Sequence, residues 1–140
     1  MPGRRRHGGL VLAAVVVVTA AIDAHHSITA IYDSRQQVTV SGSVREFQFV
    51  NPHPWIGIDV TDDGGVRRWR LELDNRWELE NIGMNADTFK PGDVIVVSGS
   101  GGRDGARSVY VRRLDRAADG LLYEQVGPSP RVNFGAGRSR

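Results

Sequence analysis

Two prolines separated by one residue, in Asn51-Pro52-His53-Pro54, divide two stretches of alternating hydrophobicity. Proline has no backbone N–H and restricts the residue before it, so this tetrapeptide must be a turn. Before it, Val38, Val40 and Val44 fall on one face of residues 37–50, with Thr39, Ser41, Ser43 and Arg45 on the other. That is the period of a half-buried strand. Gly42 interrupts it and the apolar phase then moves to Phe47 and Phe49, as a β-bulge would cause. After the turn, Ile56, Ile58 and Val60 alternate within a second strand, residues 55–61. Asp62-Asp63-Gly64-Gly65 is a hairpin signal, and a third strand follows over residues 66–73, with Trp69, Leu71 and Leu73 inward.

Asn75 followed by Glu78 is a capping-box pattern, so a short helix is expected, stopped near Gly83 and burying Trp77 and Ile82. Lys90-Pro91-Gly92-Asp93 reads as another turn. A continuous apolar strand over residues 94–99, a glycine-rich loop to Gly105, and a strand over 107–114 complete the pattern, with a short edge at Leu121-Leu122-Tyr123. Three strands, a helix and two strands is the element order of an OB-like five-stranded antiparallel barrel. An open antiparallel sheet or small sandwich is the alternative. The expected organisation is a signal peptide over 1–24, an N-terminal arm over 25–36, the β-domain over 37–123 and a disordered tail over 124–140. The tail is expected from its Gly, Pro, Ser and Arg content.

The signal reading rests on Arg4-Arg5-Arg6 ahead of a 13-residue apolar run, Leu10–Ile22, broken only by Thr19. That length suits a secretory h-region and falls short of the ~20 residues of a membrane span. A periplasmic or secreted location is expected, with no membrane anchor after cleavage. Cleavage after Ala20, Ala21 or Ala24 would each fit, and the last would leave His25 as the mature N-terminus. The chain's net charge of +2 then changes meaning. Residues 25–126 hold 12 basic and 15 acidic side chains, so the domain is mildly acidic and the positive balance belongs to the ends. An acidic exported domain is a poor nucleic-acid binder, because such binding rewards a basic groove. The absence of cysteine excludes disulfides, thiolate metal sites and a thiol nucleophile.

Three histidines follow the signal segment: His25, His26 and His53. Imidazole is the commonest side-chain ligand for transition metals. Two imidazoles and a free α-amine would suit copper, the first candidate, and zinc is the second. The alternatives are a solvated arm for His25-His26 and a turn cap for His53. Geometry opposes their meeting, since a straight first strand of 12–14 residues would hold the arm and His53 ~40 Å apart. Asn51 and Trp55 are candidate contacts for an exported partner protein, with Trp55 as anchor. Asp62-Asp63-Gly64-Gly65 lacks the ligand spacing of a calcium loop. No serine stands in a nucleophile motif, and the glycine-rich loop opens no helix, so no catalytic motif is found.

Ala24-His25-His26-Ser27, Tyr32-Asp33, Asn51-Pro52-His53-Pro54-Trp55 and Lys90-Pro91-Gly92-Asp93-Val94 together resemble a family of exported bacterial proteins grouped as a domain of unknown function, with AHHS, NPH.W and KPGD motifs. The resemblance covers about residues 24–123. It implies a periplasmic β-rich domain with no established activity or ligand, and it places all three histidines within named motifs. The chain is therefore expected to be an exported binding or accessory module. Its candidate ligand is copper or zinc held by His25, His26 and His53, and the alternative is metal-free docking on an exported partner.

Overall fold

A computed structural model of the chain describes residues 28–135. The expected signal segment, the paired histidines His25 and His26, and the last five residues lie outside the described residues. Seven strands and one short α-helix follow in the order β1 (Tyr32–Gln48), β2 (Trp55–Asp62), β3 (Gly65–Glu72), α1 (Arg76–Asn81), β4 (Val94–Gly102), β5 (Ser108–Arg116), β6 (Leu121–Val126) and β7 (Ser129–Asn133).

β1 begins within the expected arm. Residues 28–31 are helical, and Tyr32 and Asp33 already pair with Gly102 and Gly101 of β4. The pairing then slips before resuming at Gln37 opposite Ser100. The polar run Ser34-Arg35-Gln36, which hid the strand's period, occupies that slip. Further on, Val40 and Val44 are buried. Gly42 cannot carry a side chain, because a Cβ there would lie 2.5 Å from the backbone oxygen of Asp59. The bulge itself falls at Arg45: Val44 faces Ile58 and Glu46 faces Gly57 on β2. That extra residue turns the phase, so Phe47 packs edge-on against Phe89 with ring centroids 5.1 Å apart.

β2 and β3 form the expected hairpin, closed at Asp62 opposite Gly65, whose φ of +101° favours glycine. α1 is capped as expected: the Asn75 side-chain oxygen accepts the Glu78 N–H at 2.9 Å, and Gly83 leaves the helix at φ +92°. Leu79 is the residue this helix buries, with Met84 just beyond it. Trp77 corrects the expectation, being 69% exposed. In a helix this short only one side chain per turn faces the core, and Leu79 holds that place.

β4 is longer than expected and alternates, with Ile95 and Val97 buried while Val94 and Val96 are exposed. It continues through the glycine-rich segment, where Gly99 allows a bulge against β5. A Cβ at Gly99 would meet the Tyr110 carbonyl oxygen at 2.1 Å. The largest correction concerns the tail. Residues 124–126 complete β6, and β7 pairs with it from Leu122–Asn133 to Val126–Ser129. A hydrogen-bonded ladder and the packing of Val132 and Phe134 on the core outweigh the polar composition there.

Neighbouring strands run β3-β2-β1-β4-β5-β6-β7, so the fold is a mainly β, antiparallel seven-stranded sheet. One further pairing is parallel: Arg70, Leu71 and Glu72 of β3 face Ser108, Val109 and Tyr110 of β5. The core lies on the inner faces, where Ile56, Ile58, Leu71, Val109, Val111 and Leu114 are fully buried.

Candidate functional site

The Asn51–Pro54 turn is clamped to the junction of β3 and α1. The Pro52 carbonyl accepts the Arg76 N–H at 3.0 Å, and the Pro54 carbonyl accepts the Leu73 N–H at 2.9 Å. Between them His53, half-buried, places Nδ1 3.2 Å from the Leu73 carbonyl oxygen. A carbonyl can only accept, so Nδ1 carries the proton. In the neutral ring Nε2 then holds the lone pair, and it makes no hydrogen bond among the described residues. This is the orientation in which a backbone carbonyl prepares a histidine for a metal.

The start of β1 reaches the same place. Tyr32 is buried, and its hydroxyl donates to Glu72 Oε2 at 2.8 Å. Glu72 faces Trp55 on β2 and Tyr110 on β5. Tyr32 and Tyr110 rings lie 5.8 Å apart. The turn after β1 thus holds Leu73, while the first residue of β1 holds Glu72, its immediate neighbour. β1 is coiled enough to return on itself, and the ~40 Å separation of a straight strand does not apply. The helical turn at 28–31 is fastened nearby, because Arg103 donates from Nε and Nη2 to the Thr29 carbonyl at 3.1 and 3.0 Å.

Electrostatics at this end follow from burial and arginine contacts. Burial, then the hydrogen bond to Glu72, pushes the Tyr32 hydroxyl above the usual tyrosine range. Burial, with Asp74 adding to it, raises Tyr110 to about 12. The Arg35 side chain beside Asp33 holds that carboxyl at about 2. Asp74, which as a carboxylate near a hairpin end would be expected to be solvated, is instead buried and accepts from the Asn75 N–H at 2.7 Å and Gln125 Nε2 at 2.6 Å. Gln125 in turn accepts the Tyr123 hydroxyl at 2.9 Å. Glu78 is raised by burial, with Asp74 beside it. Asp74 precedes a helix cap, which is a visible signal, but its partner Gln125 comes from the segment expected to be disordered.

The structure brings His53, Asn51 and Trp55 together on one turn and its flank. Asn51 is exposed. Trp55 is half-buried, and the Arg70 guanidinium lies 4.1 Å above its ring, so one face of the expected anchor is already covered. Lys90-Pro91-Gly92-Asp93 has a structural role: Asp93 accepts the Lys90 N–H at 3.0 Å and pairs with the buried Arg116 at 2.5 Å. Among the described residues, no group of three or more His, Cys, Asp or Glu side chains converges as a metal site. His53 offers one well-oriented nitrogen, so a complete site needs donors from outside the described residues.

These features define a small, mainly β domain with a histidine-bearing turn joined to the start of its first strand. The chain belongs to the family of unknown function DUF6152, whose model matches residues 13–110. No curated protein matches it in sequence. One matching solved structure is the ZRD-deleted mutant of TiaS in complex with agmatine, at TM-score 0.48 and 16% identity. The match covers 74% of this chain and 29% of that one, so the chain spans less than a third of that protein's length. Among the described residues, no helix is long and apolar enough to cross a membrane.

Proposed function

We propose that this protein is an exported accessory module that binds copper, or zinc in second place, through His53 and the arm histidines His25 and His26. The observation that carries the reading is the return of β1: Tyr32 and His53 hold the consecutive residues Glu72 and Leu73. Five residues separate His26 from Tyr32, and because residues 28–31 are helical they span less than the ~20 Å of a fully extended segment. The Leu73 carbonyl adds the second support, by turning His53 Nε2 into a free acceptor. The scaffold is read as an OB-like barrel, β1-β2-β3-β5-β4, and the parallel β3–β5 pairing supports that closure.

Within such a site His53 would supply one imidazole nitrogen and the arm the others, with the free amine of His25 if cleavage follows Ala24. The test is calorimetric titration of Cu(II) and of Zn(II) into the exported protein, its N-terminus defined by mass spectrometry. Tight binding to the natural protein, weakened at least tenfold in His26→Ala, His53→Ala, is expected. Equal affinity in that double variant would sink the proposal. Capture of the same exported partner with and without chelator, through Trp55 and Asn51, would favour the metal-free interaction reading instead.

A further inference from the structure

A second site is written on the outer face of β2 and β3, independent of the histidines. Gly57 lies cross-strand from Arg70, and Asp59 from Arg68. With no side chain at Gly57, the sheet surface drops into a cleft of about 240 Å³. Trp55 forms one wall, with Arg70 against its ring, and the Glu46 side chain lies over Gly57, where a Cβ would meet its Cγ at 3.1 Å and its Oε1 at 3.4 Å, while Gln48 Nε2 donates to its other carboxylate oxygen at 3.2 Å. Arg107 reaches the cleft from the residue before β5, and its carbonyl accepts the Arg70 N–H at 3.0 Å, which ties the two together.

The charge in this cleft runs against the rest of the domain. The described residues carry 13 basic and 15 acidic side chains. Most of the arginines are matched: Arg35, Arg45, Arg67, Arg76, Arg113 and Arg116 all pair with carboxylates. Arg68, Arg70 and Arg107 do not form an ion pair among the described residues, and all three are exposed in one cleft. Three guanidinium forks around a concavity floored by glycine can each offer two parallel N–H donors to one oxyanion. We propose that this cleft binds a small oxyanion of phosphate or carboxylate type, held by Arg68, Arg70 and Arg107.

The full exported protein is titrated with pyrophosphate in one arm and succinate in the other, at constant ionic strength, and binding is followed by calorimetry. Saturable one-to-one binding in at least one arm is expected, and the arm that saturates identifies the anion type. Affinity should fall by about tenfold or more in Arg68→Gln, Arg107→Gln, two exposed positions whose loss does not endanger folding. The same loss should spare metal binding at the histidines. No saturation in either arm, or undiminished affinity in the double variant, would overturn the assignment. Binding of single-stranded DNA or an acidic peptide without binding of either small anion would overturn it as well.

Discussion

Tyr32, Tyr110 and Tyr123 are the chain's three tyrosines, and all are buried. Burial raises each hydroxyl above its ordinary value of 10.0, Tyr110 to about 12. Folding therefore favours the neutral rings. Their contribution is whole below pH 10 and is lost as pH rises toward about 12, because the unfolded chain ionises first. In an alkaline titration, tyrosinate absorbance should appear late and rise together with loss of β-sheet signal. Absorbance that rises near pH 10 with the fold intact would contradict this. The histidines were legible as residues, since His53 stands in a Pro-rich turn that any reading would notice. Its orientation was not, because the carbonyl that sets it belongs to Leu73, twenty positions away. The Arg70–Trp55 stack was hidden for the same reason, since cross-strand neighbours depend on register rather than on spacing.

The short helix α1 shows how local chemistry survives into the fold. Its cap and its stop were both visible in Asn75, Glu78 and Gly83. Asn75→Ala should cost about 1 kcal/mol, measured as a lower urea midpoint with an unchanged slope. Which face the helix buries was less legible. Trp77 is the larger side chain, yet Leu79 meets the core, because tertiary placement decides among candidates that a six-residue segment leaves open. The turn at Lys90–Asp93 was likewise clear from its residues, while the partner of Asp93, Arg116, lies 23 positions on and was not.

At the scale of the molecule, β-content, the succession of the first elements along the chain and the first hairpin followed from alternation and turn signals. The number of strands did not. β7 arises from a segment whose composition resembles a linker, and its order comes from pairing with β6 and from Phe134 lying against Gly83. Pro130 and Arg131 suit it to an edge, where a missing N–H and a charge discourage further pairing. Deleting residues 127–140 should uncover β6, lower the melting temperature by several degrees and promote self-association. Light scattering and thermal unfolding would check this; a monomer of unchanged stability would show that β7 is dispensable.

The parallel contact between β3 and β5 also has a meaning in time. During synthesis β2 and β3 can pair at once, but the outer edge of β3 waits for Ser108–Tyr110, and β1 waits for β4. Pairings so distant along the chain are slow, on the order of milliseconds to seconds. The nascent polypeptide therefore passes through an interval in which β1 to β3 exist with Leu71 uncovered. In that interval its uncovered apolar surface and unpaired strand edge make it most prone to aggregate.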